Sequence, residues 1–177
     1  MSTTLTIVLR LVHVVGGILW GGGAIAYLFF VKPAAQTLGS SAPEFMQALV
    51  ERRKYPLFMQ VASGLTIVAG AILFWQTSGG FNHVWLTSAT GIGFTTGAGA
   101  ALIAFLAGNT VVAPATRALG RIGQQIATSG KPPTPDQAHQ LQGIQNRIAA
   151  AERITFIMLA IAMVAMATAR YWSFLAA

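Results

Sequence analysis

The residue of this chain best placed to do chemistry is His13, because it lies inside a long apolar stretch with valines on both sides. An imidazole is costly to place in hydrocarbon, so a histidine within such a stretch marks a candidate functional site. Arg10 precedes it by one helical turn, and Gly17 and Trp20 follow at helical spacing. Steps of three and four residues return to one face of a helix, so these four residues are predicted to share a stripe.

This stripe favours a non-covalent haem b site near the outer leaflet of the membrane, with His13 as an axial ligand of the haem iron. Arg10 and Arg170 are predicted to lie at a similar depth, and Arg10 can pair with a propionate. His83, in the loop between the second and third apolar stretches, is a candidate second ligand. Gly17 and Trp20 complete the predicted cofactor-binding set.

A structural interpretation stays open beside the haem hypothesis. In it, His13 donates a hydrogen bond to a carbonyl or threonine of a neighbouring helix, Arg10 extends to water, and His83 is an exposed loop residue. Copper is a further alternative, because methionines together with His13 are soft enough for Cu(I). Methionine is also an ordinary filler of helical cores; the four concerned are Met59, Met158, Met163 and Met166.

Four apolar stretches must position these residues, and they cover about 5–31, 57–76, 86–113 and 154–171. At about 1.5 Å per residue they suit a hydrocarbon core of about 30 Å. The chain is 54% hydrophobic and 8% charged, which is atypical of a soluble domain. We therefore predict an all-α, polytopic membrane protein: one domain, an antiparallel four-helix bundle. The absence of cysteine excludes thiolate metal sites and covalently attached haem.

Basic residues lie beside the ends of the stretches, and most of them fall in the first and third connections. The positive-inside rule then places the first and third connections in the cytoplasm and both termini on the outer side of the membrane. This distribution argues against nucleic acid as a partner despite the net charge of +7. The residues concerned are Lys32, Arg52, Arg53, Lys54, Arg117, Arg121, Lys131, Arg147 and Arg153.

Helical periodicity continues past the third stretch and before the fourth, which predicts a cytoplasmic helical hairpin over about 114–153. Glycine and paired prolines at 130–133 mark its tip, and Thr134 with Gln137 has the pattern of a capping box. A similar start signature at Ser41 predicts a short helix before the second stretch. Glu152 and Arg153 are predicted to form a structural ion pair at the membrane interface.

Glycine is concentrated in the first and third stretches. Small residues let helices approach closely, and they also leave a flat wall for a planar cofactor. Two interpretations of the glycines therefore stay open, close helix packing and a wall that faces a ligand. Glycine-rich helices can also pair two copies of the chain in a homo-oligomer. The glycines are Gly16, Gly17, Gly21, Gly22, Gly23, Gly91, Gly93, Gly97 and Gly99.

His13, followed by Trp20, a glycine cluster and Val31-Lys32-Pro33-Ala34, resembles the first helix of the CopD-like superfamily of small bacterial membrane proteins. That superfamily includes copper-resistance D domains and the four-helix protoporphyrinogen oxidase. Asn109-Thr110-Val111-Val112-Ala113-Pro114-Ala115 is similar to its third helix. The resemblance covers most of the chain, and it implies that the protein lies in a bacterial cytoplasmic (inner) membrane. Two further similar segments are Arg53-Lys54-Tyr55 and Gln145-Asn146-Arg147.

For the oxidase branch, the resemblance implies haem b held by His13 and a lysine in the third helix. The stretch after Trp85 reads Leu86-Thr87-Ser88-Ala89-Thr90 and has no lysine. This departure argues against porphyrinogen oxidation and leaves haem binding open.

Three classes of function follow. We expect a membrane-bound redox protein that passes electrons between a quinone or another outer donor and its haem. A protein that transports or handles copper or a small molecule would instead need a polar path from Gln60, Asn109 and Glu152 to the outer side. A non-catalytic accessory subunit would need a membrane protein partner.

Overall fold

The computed structural model describes residues 2–176 and the side chains of residues 2–173, and every regular element in this part is helical. Four long helices are apolar and long enough to cross a membrane. The prediction of an all-α, four-helix membrane protein is confirmed. In chain order the helices are α1 (Thr3–Gln36), α2 (Ala42–Gln47), α3 (Tyr55–Thr77), α4 (His83–Leu86), α5 (Ala89–Ser129) and α6 (Pro135–Thr168), which continues as 3-10 turns over Ala169–Ala176.

The four long helices form two pairs. In the first hairpin α1 lies along α3, and in the second hairpin α5 lies along α6. The two hairpins contact each other less extensively, through α3 with α5 and α1 with α6. The apolar core lies where they meet, and its buried members are Trp20, Ala24, Ala62, Ala104 and Leu159.

Close helix contacts explain several of the glycines. A Cβ on Gly16 would lie 2.7 Å from the hydroxyl oxygen of Thr66, and one on Gly93 would lie 2.8 Å from the Cα of Ala169. Backbone approach of this kind needs a residue without a side chain. By contrast, a Cβ on Gly99 would meet nothing within 4 Å. Close packing therefore accounts for part of the glycine pattern.

The two ends of the bundle differ. The end with residues 37–54 and 130–134 is called the hairpin end, and the end with Thr3 and residues 78–88 is called the termini end. At the hairpin end α5 and α6 continue as a helical extension, closed by Gly130 in the left-handed conformation with φ of 63°. Thr134 and Gln137 form the expected capping box at the start of α6. The side chain of Ser41 makes no such bond at α2.

Three π-helical turns interrupt the helical regularity, at Tyr27–Val31, Ala48–Arg52 and Gly108–Val112. Pro33 and Pro114 each follow one of them within two residues. A proline ring inside a helix clashes with the carbonyl four residues earlier, and a wide turn at that point relieves the clash. Wide turns of this type are often found at functional sites.

Candidate functional site: a cavity between the two hairpins

His13 points into the seam between α1 and α3. Its Nδ1 lies 2.8 Å from the carbonyl oxygen of Thr66, so Nδ1 donates a hydrogen bond to that carbonyl. The ring rests on Gly70, where a Cβ would lie 2.7 Å from the imidazole Cε1. This is the contact that the structural interpretation of His13 expects, and it leaves Nε2 without a hydrogen bond to any described residue. Nearer the termini end of the same seam, the Gln76 amide donates to the Thr6 hydroxyl over 3.2 Å.

The other residues proposed for the haem site are dispersed. Arg10, His83 and Arg170 are exposed, and within residues 2–173 none of them hydrogen-bonds to His13. Gly17 is half-buried, with the Thr66 methyl group 3.8 Å from the position of a Cβ. Trp20 is 5% exposed and belongs to the apolar core, about 10 Å deeper along α1 than His13.

Three of the four methionines considered for copper, Met59, Met163 and Met166, lie over glycines, and Met158 packs against the apolar core. The sulfur of Met163 is 3.0 Å from the position of a Cβ on Gly21, and the sulfur of Met59 is 2.9 Å from that on Gly23. Each therefore fills space left by a missing side chain, as methionine commonly does in helical cores.

A cavity of about 160 Å³ lies between the two hairpins, toward the hairpin end. All four long helices contribute to its wall, and the segment 46–50 closes one side. The three π turns meet here, since each of them supplies residues to the wall. A dry cavity of about 150 Å³ in another protein holds benzene, so this one has room for a molecule built on a single ring.

Most of the cavity wall is apolar and much of it is aromatic. Trp20, Tyr27, Tyr55, Phe105 and Phe156 all contribute. The rings of Tyr27 and Tyr55 stack with their centroids 5.5 Å apart. The Tyr55 hydroxyl donates to the carbonyl of Gly23 over 2.9 Å, which fixes the position of that ring.

A few polar groups converge on this apolar wall. The Asn109 amide donates to the carbonyl of Phe105 over 2.9 Å, within the helix, beside the π turn. The hydroxyl oxygen of Thr155 is buried and makes no hydrogen bond to any described residue. Gln60 and Ser63 also contribute to the wall. An unpartnered buried hydroxyl beside a cavity is a group that a ligand can satisfy.

Glu152 is the charged residue of the cavity wall, and it is 8% exposed. Its carboxylate accepts a hydrogen bond from the ammonium of Lys32, across from α6 to α1. The side chain of Lys32 is 34% exposed. The predicted pairing of Glu152 with Arg153 is wrong: Arg153 is exposed, and the ion pair of Glu152 in the described residues is with Lys32. Helix geometry explains this, because adjacent helical residues point in different directions.

The cavity could have been suspected from two prolines in the sequence. Pro33 and Pro114 both lie inside apolar helical segments, in the related sequences Val31-Lys32-Pro33-Ala34 and Val112-Ala113-Pro114-Ala115. Proline within a membrane helix frees backbone groups that neighbouring residues must satisfy, so it marks places of irregular packing.

Comparison of the chain with protein-family models, with curated proteins and with solved structures finds no match. Among the described residues, no group of three or more histidine, aspartate or glutamate side chains is arranged to hold a metal ion. The function is therefore inferred from the residues that line the cavity and from the contacts of His13.

Proposed function

We propose that this protein binds a small amphipathic molecule in the cavity between its hairpins, and that it handles or transports that molecule at the bacterial cytoplasmic membrane. The observation that carries the proposal is the wall of this cavity, to which aromatic side chains, the buried residue Glu152 and the unpartnered hydroxyl of Thr155 all contribute. Binding sites for small molecules combine a mostly apolar wall with a few convergent polar groups in this way.

The proposal places the hairpin end in the cytoplasm. Basic side chains at this end, such as Arg53, Arg121 and Lys131, support that orientation under the positive-inside rule. The chain has no cysteine, so single cysteines can report the topology without background. A membrane-impermeant thiol reagent applied to spheroplasts is expected to label Thr87→Cys at the termini end. It is expected to label Ser129→Cys only after the membrane is opened, and the reverse pattern would contradict the orientation.

Binding can be tested with toluene and p-cresol, two single-ring probes. At ten times the dissociation constant, either probe is expected to raise the unfolding temperature of the detergent-solubilised protein by about 3–5 °C. Gly108 lies on the cavity wall, and a Cβ there would meet nothing within 4 Å. Gly108→Leu should therefore fill the cavity and abolish the shift.

Gly99→Leu is the matched control, because Gly99 is on the same helix, is exposed and also has open space around it. It should keep the full shift. An equal response of the two variants would show that the probes act through the detergent, and would overturn the proposal.

A second candidate function is haem b binding at His13. It is favoured by Nε2 of His13, which hydrogen-bonds to no described residue while Nδ1 donates to Thr66. Histidines that ligate metals usually donate their other ring nitrogen to a carbonyl or carboxylate in this way. Bound haem would supply one-electron chemistry. The other residues expected to hold the haem do not support this candidate, because they are exposed and none of them hydrogen-bonds to His13; they are Arg10, His83 and Arg170.

The test of the haem candidate is the absorption spectrum of the purified protein. A Soret band that disappears in His13→Ala would support it, together with the proposed relationship to the CopD-like superfamily. A colourless protein expressed with ample haem supply would contradict it. The cavity proposal does not depend on this outcome.

A further inference from the structure

We propose that the cavity selects a small aromatic cation, and that the ammonium of Lys32 takes the place of the ligand's charge while the cavity is empty. This inference rests on the proposed function, since it assumes that the cavity is the binding site. It adds the class of ligand and the group that the ligand must displace.

The first support is the carboxylate of Glu152. It belongs to the cavity wall and is 8% exposed, so it needs a cationic partner inside the protein. Lys32 supplies that partner, but Lys32 is not itself part of the cavity wall. Its ammonium therefore reaches the carboxylate from beside the cavity.

The second support is the composition of the rest of the cavity wall. Trp20, Tyr27, Tyr55, Phe105 and Phe156 present aromatic rings to the cavity. The face of an aromatic ring attracts a cation, and desolvated sites strengthen that attraction. A neutral ring would gain nothing from Glu152, and an anion would be repelled by it. The wall therefore matches a cation better than a neutral or anionic ligand.

The third support is that the ammonium of Lys32 can move from Glu152 into water. Its side chain is 34% exposed and lies near the hairpin end of α1, so its flexible stem can carry the ammonium to water. When a ligand cation binds Glu152 and Lys32 withdraws, one positive charge replaces another beside the same carboxylate. The exchange leaves no unpaired charge in the protein interior, which is the condition for a buried ion site.

The experiment compares N-methylpyridinium with toluene, which have the same shape and differ in charge. N-methylpyridinium is expected to bind at least about tenfold more tightly, measured by the shift in unfolding temperature over a concentration series. It should also increase the modification of Lys32 by an amine-reactive reagent severalfold, as followed by peptide mass spectrometry. Toluene should leave the modification of Lys32 unchanged, and exposed Lys131 is the internal control.

Two variants test the exchange directly. Lys32→Met removes the internal competitor and is expected to strengthen binding of N-methylpyridinium by about tenfold or more. Glu152→Gln should abolish the preference for the cation and leave Lys32 reactive without ligand. The double variant Lys32→Met/Glu152→Gln carries neither charge; it should bind toluene as the native protein does and show no preference for the cation.

The outcomes separate the two proposals. If toluene binds but N-methylpyridinium is no better, or if the reactivity of Lys32 does not respond to the cation, the inference is overturned and the cavity remains a binding site for neutral rings. If neither probe binds and Gly108→Leu changes nothing, the proposed function itself fails.

Discussion

The ammonium of Lys32 on α1 is hydrogen-bonded to the carboxylate of Glu152 on α6, and this ion pair joins the two hairpins beside the cavity. The two residues are 120 positions apart in the chain. The pair therefore holds together parts of the fold that no short loop connects.

Removing one partner of this ion pair is expected to destabilise the protein. Lys32→Met would leave the carboxylate of Glu152 buried without a cation, which typically costs about 3–5 kcal/mol. The partial exposure of Lys32 places the expected loss near the lower end of that range. Denaturant titration of the detergent-solubilised protein measures it. Arg153→Met is the control, because Arg153 is exposed, and Lys32→Met/Glu152→Gln should recover most of the loss.

The contact between His13 and Gly70 predicts a pair of compensating substitutions. Gly70→Ala would place a methyl group 2.7 Å from the imidazole, so we expect a loss of about 1–3 kcal/mol from overpacking. In a His13→Ala background the same change should cost much less, because the ring is gone. Gly64→Ala on the same helix meets nothing within 4 Å and should be nearly neutral. A Gly70→Ala cost that is the same in both backgrounds would show that the ring does not lie on Gly70.

The approach of α5 to the 3-10 continuation of α6 at Gly93 predicts a second glycine effect. A methyl group there would lie 2.8 Å from the Cα of Ala169, and backbone cannot move aside as a flexible side chain can. Gly93→Ala should therefore lower the free energy of unfolding by about 1–3 kcal/mol. Gly99→Ala on the same helix should have little effect, as its surroundings are open. Equal effects of the two variants would contradict the close packing of this pair.

The capping box at Thr134 predicts a local effect on the helical extension. Thr134→Ala removes the acceptor of the Gln137 backbone N–H, which should cost about 1 kcal/mol at the start of α6. Hydrogen exchange should accelerate in the first turns of α6 and stay unchanged in the buried part around Leu159. Thr128→Ala is the control, because that hydroxyl bonds only to the carbonyl of Gln124 within its own helix.

The membrane crossings and the helical extension could be predicted because their signals are local. Apolar length fixes the long helices, and the spacing of Thr134, Pro135 and Gln137 fixes where α6 begins. The cost of placing an imidazole in hydrocarbon predicts that His13 faces protein, and its hydrogen bond to Thr66 agrees. Haem ligation, copper binding and a hydrogen bond to a neighbouring helix are all open from the sequence, and the bond to Thr66 is the contact that the last of these expects.

The ion pair could not be predicted, because it depends on how the two hairpins dock. In the sequence, Lys32 is one of many basic residues beside a helix end, and the nearest base to Glu152 is its neighbour Arg153.

The cavity could be anticipated only in part: Pro33 and Pro114 mark irregular packing, and the polar residues singled out for a transport path all line its wall, namely Gln60, Asn109 and Glu152. The π turn at Gly108–Val112 supplies Asn109 and Val112 to the cavity wall, and a regular helical wheel does not represent a wide turn.

The modest contact between the two hairpins has a consequence for how the protein assembles. Each hairpin consists of two complete crossings and can enter the bilayer separately, as insertion followed by lateral association of helices allows. The cavity comes into being only when the halves meet, so neither half contains it alone. A ligand that binds in the cavity binds only the assembled protein and therefore stabilises the association of the two hairpins. Two hairpins expressed as separate fragments should reassemble more completely when that ligand is present.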